Sequence, residues 1–199
     1  MKIRKARLML LRLSAIPLII LAVFVRPGWA ADSVTELSVE FGGYLFLIAG
    51  LWIRMWSILY VGGKKSKELI TAGPYSLCRN PLYVGSLLLV IGIGLCFENL
   101  PMLIGTLVLF VPMHLLVVRL EERHLLDLFP ETYPAYQKTV PRFFPSFRNY
   151  VSQTELVVSR HAVRRLMVDA TAVLLIPQIE DLLEMLHEKH YLPVLWQFP

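Results

Sequence analysis

The chain has 199 residues, 56% of them hydrophobic and only 18% charged, with a mean hydropathy of +0.57. That balance is too apolar for an ordinary soluble domain, and the length leaves little for a soluble module beside four or five apolar segments. The net charge of +5 flanks apolar runs, which points to lipid headgroups and topology and away from nucleic acid.

A membrane-crossing helix needs about 20 mostly apolar residues. The first such stretch is Leu8 to Val25, with Arg12 near its start and Lys2, Arg4, Lys5 and Arg7 before it. Gly28-Trp29-Ala30-Ala31 then gives the N-terminus a resemblance to a cleavable signal peptide, though a retained helix is the favoured reading. The second stretch is Val39 to Val61, with Arg54 inside it. Lys64, Lys65, Lys67 and Arg79 follow. The third stretch, Pro81 to Phe97, and the fourth, Met102 to Val118, are separated by Glu98-Asn99-Leu100-Pro101. So short a connection predicts an antiparallel helical hairpin. His114 lies within the fourth stretch. Arg119, Arg123, Lys138, Arg142 and Arg148 come after it, whereas the two opposite loops carry Arg26 alone. By the positive-inside rule both termini, loop 62–80 and everything after residue 119 are cytoplasmic.

The tail, 150–199, differs. Asp169, Glu180 and Asp181 interrupt the apolar stretch Leu166 to Leu186, and Pro177 breaks its periodicity. It reads as one or two amphipathic helices lying at the cytoplasmic interface or packing on the core, with a fifth span as the lesser alternative. The expected fold is therefore all-α: an integral membrane bundle of four, or at most five, helices with a cytoplasmic helical C-terminal segment. Residues 1–149 form the membrane domain and 150–199 the tail. Cys78 and Cys96 are too few for a disulfide framework and match no metal-ligand spacing.

Three clusters carry polar chemistry. In Gly73-Pro74-Tyr75-Ser76-Leu77-Cys78-Arg79-Asn80-Pro81-Leu82-Tyr83-Val84-Gly85, Gly73-Pro74 marks a turn, Pro81 suits a first helical turn, and Asn80 suits the N-cap. A capped helix with an interfacial tyrosine and a snorkelling arginine explains this cluster by itself. Glu121 and Glu122 repel each other and oppose the dipole at the end of the fourth span, so a cation belongs nearby. Neighbouring arginines are the plain source of one. The stretch from Phe129 to Pro145 holds Tyr133, Tyr136 and Arg142; the two tyrosines share a face if it is helical. An interfacial aromatic anchor is the plainer reading there. Arg54, as an ionisable group within a span, is a functional candidate, and His114 a weaker one.

Taken together, these clusters resemble the isoprenylcysteine carboxyl methyltransferase family and its wider group with phospholipid N-methyltransferases. The resemblance rests on Arg79-Asn80-Pro81-Leu82-Tyr83-Val84-Gly85, Glu121-Glu122, Leu125 to Tyr136 and Val140 to Pro145, in order, across about residues 40–147. Asn80 stands where histidine is commoner, and Pro130 where glycine is usual. The resemblance implies S-adenosylmethionine as methyl donor. It assigns Arg79, Asn80, Pro81, Tyr83, Gly85, Glu121, Glu122, Tyr133 and Tyr136 to the donor, with tyrosine faces holding the sulfonium and the ligand supplying the cation that the glutamates want. Arg142 or Arg54 would position a lipophilic acceptor entering from the lipid. Carboxyl O-methylation is the leading activity. Phospholipid N-methylation and small-thiol S-methylation are alternatives, and a non-enzymatic scaffold or transporter subunit is the rival of a different class.

Overall fold

The structure, a computed structural model, describes residues 25–27, 34–61, 68–153, 156, 158–193 and 196–198. The predicted first span lies outside them apart from Val25, as do residues 28–31 and the basic residues Lys64, Lys65 and Lys67.

The described residues are almost wholly helical. In chain order they give β1 (Val25–Pro27), α1 (Val34–Val61), α2 (Pro74–Leu77), α3 (Pro81–Cys96), α4 (Leu100–Leu128), α5 (Tyr133–Thr139), a 3-10 turn (Phe147–Asn149), α6 (Arg160–Leu174), α7 (Ile176–Glu188) and β2 (Trp196–Phe198). The strands, absent from the sequence reading, form one parallel pair of three residues each.

Among the described residues two helices, α1 with 28 residues and α4 with 29, are long and apolar enough to cross a membrane. At about 1.5 Å per residue each exceeds the roughly 30 Å hydrocarbon layer. Only 22% and 11% of the residues in their most apolar windows are buried, unlike the core helices of soluble proteins. Phe41, Leu45, Ile48 and Trp52 on α1, and Ile104, Val108 and Leu116 on α4, are exposed large hydrophobics. The third apolar helix, α3, has 16 residues, too few by itself for a perpendicular crossing of full thickness. α4 runs ten residues beyond the predicted end of the fourth span, so Glu121 and Glu122 lie inside a helix and not at its C-terminus. The anticipated clash with the helix dipole therefore does not arise at those residues.

The chain packs as two compact units, one within Met1–Phe46, Val90–Phe110 and Leu174–Pro199, the other within Leu47–Leu89 and Val111–Val173. In the first, residues 97–99 join α3 to α4. Glu98 takes a positive φ of 48°, and the Asn99 side chain caps α4 by accepting from the Met102 amide at 2.9 Å. A Cβ on Gly43 would meet Cys96 Sγ at 2.7 Å, so the start of α1 approaches the end of α3 closely. The break between α6 and α7 falls at Leu175, just ahead of Pro177, where the sequence placed it.

Acidic groups gather in this unit. Burial, then Glu36, Glu40 and Glu184, pushes the Glu98 carboxyl up to about 7. Burial, then Glu184, Glu98, Asp181 and Glu40, pushes Glu180 up to about 8. Both lie above the ordinary value of 4.5, so the folded chain keeps protons that the unfolded chain has released. Their contribution is complete below that value and is lost as pH rises through the folded values. Solubilised protein is thus expected to melt at a lower temperature at pH 8.5 than at pH 5.5. Replacing Glu98 and Glu180 together by Gln should flatten that decline, as read by thermal unfolding across the pH series.

The second unit holds the polar clusters. Gly50 and Gly85 bring α1 against α3: a Cβ on Gly50 would lie 2.8 Å from the Gly85 carbonyl oxygen, and one on Gly85 would lie 2.9 Å from that of Gly50. Small residues permit this approach of backbones, as in helix pairs within lipid. Gly73, at φ 60°, lies flat against the Tyr60 ring and has no room for a side chain. Segment 73–79 is stitched to the chain after α5. The Gly73 amide donates to Val151 O at 2.7 Å, Arg79 N to Pro141 O at 2.8 Å, and Ser146 N to Leu77 O at 3.0 Å.

Candidate functional site

The start of α3 is built by its sequence. Pro81 lacks an N–H that the first turn would leave unpaired, and Asn80 O accepts from the amides of Tyr83 at 3.1 Å and Val84 at 3.2 Å. Asn80 occupies the cap position, but its side chain does not cap. Its amide donates instead to Glu122 Oε1 at 3.1 Å and to Arg142 O at 3.3 Å. One turn on, the Tyr83 hydroxyl donates to Glu121 Oε2 at 2.7 Å, and its ring meets His114 edge-on with centroids 5.6 Å apart. Three residues further, Ser86 Oγ accepts from Arg54 Nη1 at 2.5 Å. Residues 80, 83 and 86 therefore form a polar stripe at helical spacing on an otherwise apolar helix.

Glu122, 6% exposed, is the centre of the charged part. Arg142 grips it with both edges of the fork: Nε donates to Oε1 at 3.1 Å and Nη2 to Oε2 at 2.5 Å. Arg79 Nη1 stands 3.6 Å from Oε1. The cations compensating Glu122 are thus two protein guanidiniums from outside α4, not a ligand, and the sequence reading is corrected there. The reason is geometric: the hydrogen bond from Arg79 N to Pro141 O brings the segment carrying Arg142 beside the start of α3. Bonding to Glu122 raises the Arg142 pKa further, so Arg142 stays a cation.

The two tyrosines share a face but mostly pack inward. Tyr133 is 1% and Tyr136 8% exposed, clustered with Val140 and flanked by Leu69, Leu125 and Phe129. The Tyr136 hydroxyl donates to Tyr75 O at 2.7 Å. Burial raises the Tyr133, Tyr136 and Tyr75 pKa values, so all three are neutral phenols. Tyr136 is therefore a core residue with its hydroxyl committed, and it offers little to a ligand. Burial also pushes the Cys78 thiol up to about 11, which argues against a nucleophilic thiolate there at neutral pH.

Two buried polar atoms, Arg79 Nε and the Tyr133 hydroxyl, make no well-formed hydrogen bond among the described residues, although Arg79 and Gln137 lie near enough to that hydroxyl to act on it electrostatically. Both belong to residues beside Glu122. Buried groups of this kind are uncommon without a water or ligand to meet them. Next to them opens a cavity of about 310 Å³ lined by Arg119, Glu122, Arg123, Leu126, Gln137 and Arg142. With Arg142 bonded to Glu122, Arg119 and Arg123 are left as cations in excess in this lining, which makes it a place for an anionic group.

The fold therefore joins Arg79, Asn80, Pro81, Tyr83, Glu121, Glu122, Tyr133 and Arg142 in one neighbourhood. Gly85 belongs to it as the gap over which the Arg54 side chain passes, since a Cβ there would lie 2.8 Å from Arg54 Cγ. Arg54, on α1, reaches α3 further along at Ser86 and makes no bond with Glu122. Sequence reasoning missed Ser86, Asp169, Arg119 and Arg123. The available signal for Ser86 was its spacing of three from Tyr83; for Arg119 and Arg123 it was their four-residue spacing on one face of α4.

These features define a class first: a helical membrane protein whose apolar hairpin carries an arginine-braced glutamate site at one end. A family model described as phospholipid methyltransferase matches residues 39–132, and the chain belongs to that family, within the wider group of isoprenylcysteine carboxyl methyltransferases. It is 34% identical over 166 residues to the cobalt-zinc-cadmium resistance protein CzcN of Cupriavidus metallidurans, covering 83% of this chain and 76% of that protein. It is 32% identical over 146 residues to the nickel-cobalt-cadmium resistance protein NccN of Alcaligenes xylosoxydans xylosoxydans, covering 73% of this chain and 68% of that one. No solved structure matches the chain.

Proposed function

We propose that this protein is an integral-membrane methyltransferase using S-adenosylmethionine to methylate a lipophilic acceptor. The observation that carries the reading is the polar stripe on α3 joined to the glutamate pair of α4, within a chain of the methyltransferase family. In this reading α1, α3 and α4, with the apolar stretch at 8–25, cross the bilayer, and the N-terminus and the site face the cytoplasm, where the donor occurs; the C-terminal strand, paired with β1 at the far end of that first stretch, lies on the opposite side and not in the cytoplasm as the positive-inside rule had it.

The residues fit the donor's groups. Glu121, joined to Tyr83, suits the ribose hydroxyls or the ammonium. Arg119 and Arg123, lining the cavity beside the Arg142–Glu122 pair, suit the carboxylate. Arg79 Nε, beside Glu122, offers hydrogen-bonding capacity that no well-formed bond uses. The partly exposed ring of Tyr83 is the better-placed aromatic for the sulfonium, a contact worth about 0.5–2 kcal/mol. When bound, the donor supplies an electrophilic methyl group that is displaced in line by the acceptor. The protein's part is to align the two and exclude water, which contributes about 7–11 kcal/mol. Asn80 supplies a neutral amide where a histidine would supply a titrating group. An acceptor already ionised, such as a carboxylate, suits a site with this residue. Arg142 is committed to Glu122, which leaves Arg54 as the residue to position the acceptor.

Phospholipid N-methylation and thiol S-methylation use the same donor groups and compete with this reading. The two relatives are named as metal-resistance proteins, and an accessory membrane subunit serving metal resistance is the competing reading of a different class. Transfer of a labelled methyl group to a farnesylcysteine analogue, phosphatidylethanolamine and a small thiol separates these readings. Label on the first alone is expected; label on none, with folded protein, supports the accessory subunit. In the same assay Tyr83→Phe and Glu121→Gln should each raise the apparent donor constant about tenfold, the scale of a hydrogen bond to a charged group. Their melting temperatures should change little.

A further inference from the structure

We propose that Arg54 and Ser86 form an anion-binding subsite for the acidic head of a lipophilic molecule, and that Asp169 of the tail is a tethered occupant which that head displaces. The proposal rests on the methyltransferase reading only in calling the molecule an acceptor.

Arg54 lies seven residues from the end of a 28-residue apolar helix, where a cation is costly to keep and is retained for a purpose. Its path is built for it. Glycine at 85 leaves the space through which Cγ passes, and glycine at 50 lets α3 come close enough to be reached. Ser86 donates its own hydrogen to Leu82 O at 2.9 Å, which leaves its oxygen to accept from Arg54 Nη1 and fix the fork. A guanidinium has five N–H donors, and this one spends a single hydrogen bond on Ser86. Its remaining contact is Asp169 Oδ2 at 3.9 Å, well beyond the 2.7–2.9 Å or so of a charge-assisted bond. The Asp169 side chain is 45% exposed, and Arg54's only 24%. The fork is therefore partly sheltered, under-used, and faced by a carboxylate held at arm's length on an amphipathic helix.

That helix, α6, lies beyond residues 39–132 matched by the family model, so the acidic group facing Arg54 comes from outside the matched segment. A carboxylate or phosphate on an apolar chain could take the bidentate position that Asp169 does not reach. The tail then acts as a competitor: binding requires the ligand head to replace Asp169.

Trp52 and Trp56 lie two residues either side of Arg54 on α1 and report ligand at its level of the helix. With Trp29 and Trp196 replaced by Phe, their emission is titrated with dibromostearate and with its neutral amide, in nanodiscs of zwitterionic lipid. The parent protein is expected to prefer the carboxylate. Asp169→Asn should tighten carboxylate binding about fivefold and leave amide binding unchanged. Arg54→Gln should abolish the preference, and the double variant should match Arg54→Gln alone, because Asp169 acts through Arg54. Equal or weaker carboxylate binding by Asp169→Asn, or an intact preference in Arg54→Gln, overturns the proposal. If Arg54→Gln does not fold, the Asp169→Asn arm decides it. A folded protein that shows the preference but binds no S-adenosylmethionine overturns the methyltransferase reading and leaves the subsite supported.

Discussion

Replacing Glu122 by Ala is expected to destabilise the protein by about 3 kcal/mol and to abolish methyl transfer. The carboxylate is buried and takes bonds from Arg142, Asn80 and, at longer range, Arg79. Removing it leaves two guanidiniums and an amide without their shared acceptor. Breaking one side of a buried pair costs about 3–5 kcal/mol, and the lower end applies because the Arg142 side chain is 42% exposed. The carboxylate also ties the start of α3 to the segment after α5. Arg142→Ala should be milder, because Arg79 still faces the carboxylate. Denaturant unfolding in mixed micelles measures both. A loss from Glu122→Ala no larger than that from an exposed surface residue contradicts this assignment.

Gly85→Leu should be nearly as damaging, for a different reason. Any Cβ at this position meets Arg54 Cγ at 2.8 Å and the Gly50 carbonyl oxygen at 2.9 Å, and the second of these is backbone that cannot move aside cheaply. Overpacking of this kind costs about 1–3 kcal/mol, and the longer side chain would drive α1 and α3 apart. Arg54 would lose its route to Ser86, so lipophilic-acceptor binding should fall with stability. Gly42 gives the control. Nothing lies within 4 Å of a Cβ there, so Gly42→Ala should be neutral or slightly stabilising. Thermal unfolding of the two variants side by side checks the contrast; equal loss at both positions would show that helix propensity, not packing, decides.

The sequence was informative where the physics is local. Apolar length marks α1 and α4, and the short polar stretch at 98–101 marks the turn of the hairpin. Pro81 after Asn80 marks the start of α3, and Pro177 marks the break in the tail. The motif order also grouped the site: residues 79–83, 121–122 and 142 do meet across as many as 62 residues of chain. What it could not read is which partner each side chain takes. Asn80 in a cap position looks like a cap, and only the fold turns its amide to Glu122. Tyr133 and Tyr136 look like ligand-facing aromatics at any helical spacing, and only packing shows that both are buried. Asp169 looks like an interruption in an amphipathic tail, since nothing near it in sequence points to Arg54. The extension of α4 to Leu128 was hidden by charge, because Arg119 to Asp127 ends the apolar stretch without ending the helix.

Binding of S-adenosylmethionine to the protein in nanodiscs, by isothermal titration, tests the central reading most directly. Saturable binding of one donor per chain is expected, weakened about tenfold by Tyr83→Phe or Glu121→Gln and absent in Glu122→Ala. A folded wild-type protein that binds none, or binding unchanged in all three variants, would contradict it.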